Sequence, residues 1–440
     1  MDFTPHTDAE IAEMLRVIGV GSIDELFRSV PEAFKVAGRL DLPGPETEGQ
    51  VLAHVRSLAA RNRACGVPSF LGAGAYEHHV PAAVHHLIGR GEFLTSYTPY
   101  QPEYSQGTLQ AQFEYQTMVA SLLGMDVANA SMYEGATALA EACLMACRQA
   151  RRSKVLVSRA AHPEYRDVLR TYAGEANVVE VPFGADGATD PAALLAALGD
   201  DVGAVAIQSP NFLGVVEDLA AIAGAVHDRK ALLVATFAEP LAFGLIESPG
   251  AQGADVAAGE GQSLGLPLSF GGPYVGLFAV RSPLVKSMPG RLVGRTKDAR
   301  GKGCYTLTLA AREQHIRRER AGSNICSNEG LCAVAVAIWL SLLGRDGFSK
   351  LARYNHHRAE ALKSALAAKG LGPAFSGPTF NEFAVRLRGP AAPIAEAAAA
   401  AGVLPGLPLG RFYPELSDCL LVAVTEQRTD ADFDRLVAAL

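Results

Sequence analysis

At 440 residues the chain is long enough to bury a large core in two or more domains. Its 49% hydrophobic and 19% charged residues exclude a disordered chain, and a net charge of −7 gives no case for a nucleic-acid partner. The polar start Met-Asp-Phe-Thr-Pro-His-Thr-Asp is unlike a signal peptide, and the longest apolar stretch, Leu331 to Leu343, is too short to span a membrane. Seven cysteines without CxxC spacing point to no metal site and fit a reducing cytoplasm. Cys143 and Cys147, one helical turn apart, read as part of a core face.

In chain order, residues 8–36 read as short helices, with Asp8 capping the first and Ile11, Met14, Leu15 and Ile18 forming an apolar stripe. The Pro/Gly-rich stretch Leu42 to Gly49 reads as a linker or arm. Helices follow over 108–123 and about 136–150. Short apolar runs then alternate with helical segments: Lys154–Ser158, Val178–Val181, Ala204–Gln208, Leu232–Thr236, Val256–Ala258 and Val275–Val280. This alternation predicts an α/β fold with a mostly parallel sheet covered on both faces. A long helix near 328–343 leads into helix 347–369, strand 382–388, helix 391–401, strand 420–424 and helix 430–440. The boundaries drawn are an N-terminal helical region and arm over 1–75, a large α/β domain over 76–327, and a connecting helix with a small α+β domain over 328–440.

This layout resembles the aspartate-aminotransferase-like (type I) fold of pyridoxal-phosphate (PLP) enzymes. PLP chemistry needs backbone N–H groups at a helix N-terminus for the phosphate, an acid for the pyridine nitrogen, and a lysine for the aldehyde. Ser131-Met132-Tyr133-Glu134-Gly135-Ala136-Thr137 is a candidate phosphate loop opening the helix at about 136. The other two demands fail together. The acid position falls at Thr236 and the lysine position at about Ser263, just before the Gly271-Gly272-Pro273 turn. Glu239, three residues beyond Thr236, reads as a solvent-facing loop carboxylate, and no other lysine is placed to substitute. No GxGxxG opens a helix after the first strand, which excludes a dinucleotide fingerprint.

Five strings carry a closer resemblance: Tyr97-Thr98-Pro99-Tyr100-Gln101-Pro102-Glu103, Gln112-Phe113-Glu114-Tyr115-Gln116, Gly259-Glu260-Gly261-Gln262, Ser269-Phe270-Gly271-Gly272-Pro273-Tyr274 and Arg312-Glu313-Gln314-His315-Ile316-Arg317-Arg318. They resemble the glycine cleavage system P-protein, in particular the subunit 1 (α chain) of its split bacterial form, from about Leu15 to the C-terminus. The resemblance implies one half of a glycine dehydrogenase (aminomethyl-transferring). Such an enzyme decarboxylates glycine on PLP, releases CO2 and passes the aminomethyl group to the lipoyl arm of H-protein. It implies a heterotetramer of two α and two β chains in which subunit 2 holds PLP covalently. T-protein and dihydrolipoyl dehydrogenase would be pathway partners. This chain would complete its partner's site without carrying a catalytic residue.

Tyr97, Thr98, Tyr100, Gln101, Tyr104, Ser105 and Gln106 then read as a stiff aromatic lip at an interface or substrate channel, with Tyr133 and Glu134 beside it. Residues 291–320 hold nine Lys/Arg against three Asp/Glu, so Arg312, Arg317, Arg318 and Arg320 read as a docking patch for acidic H-protein. His78, His79, His85 and His86 read as surface or helix-end histidines, and His162, before Pro163, as a helix cap without chemistry. One departure stands out. The family string Lys-Ala-Thr-Ser-Asn-Ile-Cys is here Arg320-Ala321-Gly322-Ser323-Asn324-Ile325-Cys326, which puts a cross-subunit phosphate contact in doubt. The rival readings are a PLP enzyme acting alone, which Ser263 opposes, and a non-catalytic regulatory or scaffold protein derived from one.

Overall fold

The computed structural model describes residues 5–36, 38, 40–62 and 66–440. The chain divides into two compact units, Met1–Gly66 and Val67–Leu440. In the first, the helix Asp8–Ile18 is capped by Thr7, one residue earlier than expected. The Thr7 hydroxyl accepts from the Glu10 N–H, and the Glu10 carboxylate returns the bond to Thr7. A second helix, Glu48–Ala59, begins inside the segment read as a linker and carries the same reciprocal cap through Thr47 and Gln50.

The second unit is built on a seven-stranded sheet. Its strands are β1 (Val127–Ala128), β2 (Lys154–Ser158), β3 (Val178–Val181), β4 (Val202–Gln208), β5 (Leu232–Thr236), β6 (Val256–Glu260) and β7 (Gly276–Val280), in the order β1-β7-β6-β5-β4-β2-β3. Strands β3, β2, β4, β5 and β6 run parallel, while β7 and β1 form an antiparallel edge.

Alternation along the strands splits the core between the two faces. Leu156, Val205, Ile207, Leu233, Ala257 and Leu277 face one side, with Trp339, Leu219 and Leu123 from the helices. Val155, Val157, Ala204, Val234, Val256 and Phe278 face the other, against the helix Gly135–Ala150. That helix presents Ala138, Ala142, Cys143 and Ala146, small side chains that bring its axis close to the sheet. Cys143 and Cys147 are both buried there, as their spacing implies.

Two segments differ from the sequence expectations. Within the basic segment 291–320, to which no strand was assigned, lies a hairpin, β8 (Leu292–Lys297) and β9 (Gly303–Thr308). The helix Gly330–Ala368 is long and apolar enough, by length and composition, to cross a membrane. Its first half is instead part of the sheet's helical cover, with Ala333, Val336 and Trp339 buried. Gly344, at φ 59° and ψ −177°, breaks it close to the expected boundary.

The C-terminal part adds β10 (Glu382–Arg386), β11 (Leu407–Pro408) and β12 (Cys419–Ala423), paired antiparallel in the order β10-β12-β11. Phe70 packs into this sheet's own core, and its backbone bonds Leu404 and Ala423.

Candidate functional site

In open α/β sheets the crevice beyond the carboxyl ends of the strands is where ligands bind. Here that edge is formed by Gln208, Thr236 and Glu260 at the ends of β4, β5 and β6, facing the start of the helix Gly135–Ala150. All three are buried. The Gln208 side chain accepts from the His162 N–H at 2.8 Å and donates to the Pro210 carbonyl. His162 caps the next helix by accepting from the Glu164 N–H, and its ring stacks on Tyr165 at 4.7 Å. Burial pulls its imidazole pKa down.

Thr236 and Ser263, at the acid and lysine positions, are both enclosed. Neither hydroxyl has a hydrogen-bond partner among the described residues. Neither side chain is an acid or an amine. Gln262 beside them is a structural strut. Its amide bonds the Tyr76 N–H at 2.9 Å and the Tyr76 and Leu266 carbonyls.

The phosphate-loop candidate does open a helix N-terminus, but its donors are taken. Glu134 folds back on its own helix and accepts from the N–H groups of Ala136 at 2.5 Å and Thr137 at 3.1 Å. The Gly135 N–H donates to Glu260 at 2.9 Å. Glu260 also accepts from the N–H groups of Gly261, Gln262 and Val275. Burial pushes its carboxyl up to about 7, against the pull of these amides.

The whole chain, residues 1–440, matches the family model described as glycine cleavage system P-protein. The chain belongs to the glycine cleavage system P-protein family.

Two curated relatives carry the name probable glycine dehydrogenase (decarboxylating) subunit 1. One, from Moorella thermoacetica, is 50% identical over 100% of this chain and 99% of its own length. The other, from Rhodospirillum centenum, is 51% identical over the same shares. A crystal structure of glycine decarboxylase (P-protein) in inhibitor-bound form is 46% identical over all of both chains, with a TM-score of 0.88. The Burkholderia pseudomallei sphingosine-1-phosphate lyase, 16% identical with a TM-score of 0.66 over 93% of each chain, shares the fold. This is the type I fold of PLP-dependent transferases expected from the layout.

In this P-protein chain the Tyr-rich segment is an exposed lip with one buried tether. Tyr97 and Tyr104 are 82% and 90% exposed. Gln101 is also exposed, while Thr98 is half-buried with an unpartnered hydroxyl. Tyr100 lies over the Arg291 guanidinium, 5.4 Å from its ring centre, and its hydroxyl accepts from Arg291 at 3.3 Å. Arg291 also donates to the Cys326 carbonyl and to the side chains of Ser327 and Asn328. Asn328 in turn donates to the Ala130 carbonyl, and the Glu329 N–H to Ser131. One buried arginine thus ties the lip to the Ser-Asn-Ile-Cys string and the loop before Tyr133, a half-buried residue. Ser105 precedes the next helix without a side-chain cap bond, and Gln106 is fixed to both backbone groups of Tyr305.

The basic segment divides in the same way. Arg317, Arg318 and Arg320 are exposed. Arg312 is half-buried and donates to the carbonyls of Met288, Gly290 and Leu309. Arg148, Lys286, Arg317 and Arg320 join it around a cleft of about 250 Å³ that also reaches Gly322 and Ser323. A side chain at Gly322 would meet Arg148 only at ordinary contact distance, so the backbone does not demand glycine there.

Two sequence expectations are corrected. His78 is not a surface histidine, and Glu239 is not a solvent-facing loop carboxylate. Both are buried and paired, Nε2 to Oε2 at 3.0 Å, while His78 Nδ1 meets Glu426 at 2.8 Å. His79, His85 and His86 are exposed as expected. Sequence reasoning also missed Arg291 and the role of Glu260. The signal for Glu260 was a carboxylate between two glycines at a strand end, a place where backbone amides converge. Arg291 was hidden within a charge run.

Proposed function

We propose that this chain is subunit 1 of a two-subunit glycine dehydrogenase (decarboxylating), and that subunit 2 supplies the PLP lysine. With H-protein, the assembly decarboxylates glycine and transfers its aminomethyl group to the lipoyl arm. The observation that carries this reading is Thr236 and Ser263 at the expected acid and lysine positions, both buried in a chain that matches the P-protein family model over residues 1–440. A lone PLP enzyme needs both groups.

On this reading the chain acts through its surfaces. The exposed Tyr97 and Tyr104, with Tyr100 held by Arg291, form a wall of the partner's substrate channel. Thr98, Gln101, Ser105 and Tyr133 support that lip, and Gln106 anchors it to β9. Arg317, Arg318 and Arg320 draw in acidic H-protein, while Arg312 holds the platform beneath them. T-protein and dihydrolipoyl dehydrogenase act later in the same pathway.

Co-expression with subunit 2 tests the reading. This chain alone is expected to show no lysine-bound cofactor chromophore and no glycine–bicarbonate exchange. Both should appear in the two-chain complex. Full exchange activity from subunit 2 by itself would favour a regulatory or scaffold role instead.

A further inference from the structure

We infer that the Glu134 and Glu260 carboxyl groups fill the phosphate seat that the fold offers at the start of the helix Gly135–Ala150. In a type I fold a cofactor phosphate sits on the free N–H groups at the start of the helix behind the phosphate loop. Those groups here belong to Gly135, Ala136 and Thr137. Each already donates to a carboxylate, Gly135 to Glu260 and the other two to Glu134. The next amide, Ala138, makes the first bond inside the helix, to the Glu134 carbonyl. None of these first helix amides is left for an external anion.

The helix start is also tightly packed. A Cβ on Gly135 would stand 2.2 Å from the Tyr165 hydroxyl and 2.8 Å from the Glu260 N–H nitrogen. The helix start is therefore packed directly against β6 and Tyr165. Glu260 closes the inner side with its further bonds to Gly261, Gln262 and Val275. Beyond it lie the Thr236 and Ser263 hydroxyls, buried and unpartnered.

A helix N-terminus and its macrodipole favour a negative charge, and a phosphate supplies one only when the cofactor is bound. A tethered carboxyl oxygen accepts these amide bonds without a cofactor, so this half folds to a cofactor-free end state with its cradle satisfied. PLP does not fit this pocket for three separate reasons: serine at 263 offers no amine, threonine at 236 offers no carboxylate, and the amides at the helix start are already bonded. The inference rests on this chain's geometry alone, so it can fail while the two-subunit reading stands.

The test uses the full-length chain with inorganic phosphate as the probe and chloride at matched ionic strength as the control. The unaltered chain is expected to show no saturable phosphate binding by calorimetry and no phosphate-specific change in melting temperature. Glu134→Ala frees two amides and removes a cap, so its melting temperature should fall by about 2 °C. Phosphate should then bind saturably and restore the loss. If Glu134→Ala does not fold, Glu134→Ser, which keeps a short neutral cap, is expected to gain the same phosphate response. The proposal is overturned if the unaltered chain binds phosphate as well as the variants do, or if a folded Glu134 variant gains no phosphate binding.

Discussion

At the scale of single residues, a buried histidine is paired to a carboxylate just beyond the end of β5. His78 sits between Glu239 and Glu426, with its side chain 2% exposed. Burial by itself would lower the imidazole pKa, but the two carboxylates outweigh it and push it up to about 10. The same pairing holds Glu426 down to about 2 against its burial. Removing the ring would strand two buried carboxylates, so His78→Ala should lose about 3–5 kcal/mol in denaturant unfolding. The folded pKa of about 10 lies above the ordinary 6.5, so this contribution is complete below pH 6.5 and fades as pH rises towards 10. Thermal melts across that window should show the decline in the unaltered chain and not in His78→Gln. An identical slope in both would remove His78 as its cause.

Arg317 and Arg318 carry a different kind of prediction because they are exposed. Reversing both to Glu should leave the fold unchanged and raise the KM for H-protein, by about fivefold per charge, with kcat little altered. The salt dependence of turnover should flatten as well. An unchanged KM and salt slope would move the docking site elsewhere. Neither the His78 cluster nor the Arg291 hub was legible in the sequence. Their partners lie 161, 348 and 191 residues away, and no local pattern marks them. The place of Thr236 at the end of β5 and of Ser263 just beyond β6 was legible, because the hydrophobic runs reveal where those strands lie.

At the scale of elements, periodicity exposed what was periodic. The sheet strands β2 to β6 alternate between two cores, and each showed as an apolar run. The β8–β9 hairpin did not, because Arg295 and Lys297 in β8 and Arg300 and Lys302 in the turn made the segment read as a run of charge. The helix Glu48–Ala59 was masked by the Pro/Gly stretch before it, although Thr47 and Gln50 spell a capping box. The break at Gly344 was visible and makes a sharp test. Its φ of 59° with ψ of −177° is a region essentially restricted to glycine, and nothing lies within 4 Å of the place a Cβ would occupy. Gly344→Ala should therefore cost about 1–3 kcal/mol purely through the backbone. Gly347→Ala, inside the following helical run, should be neutral or stabilising by up to about 1 kcal/mol. Equilibrium unfolding of the pair separates the effects, and equal values would mean the kink carries no strain.

At the scale of the whole molecule, the two compact units differ in how they are stabilised. Val67–Leu440 has sheet cores on both faces and a further core around β10 and β12. Met1–Gly66 has two well-capped helices, yet none of its described residues is buried. Val17, Phe34 and Leu42 are each more than 70% exposed, and Met14, Ile18, Val51 and Val55 are exposed with them. So many exposed apolar side chains in about sixty residues exceed what a self-sufficient surface carries, and the two-subunit proposal predicts that another chain covers them. On the two-subunit reading that chain is subunit 2. A chain lacking residues 1–66 should keep the cooperative unfolding of the larger unit and lose stable co-purification with subunit 2, and with it glycine–bicarbonate exchange. Substituting Val17 and Phe34 together with Ser should weaken assembly in the same direction, by about 2–4 kcal/mol if both become buried on association. Analytical ultracentrifugation of the truncated chain with subunit 2 decides the matter. A full-strength complex would place the arm outside the interface.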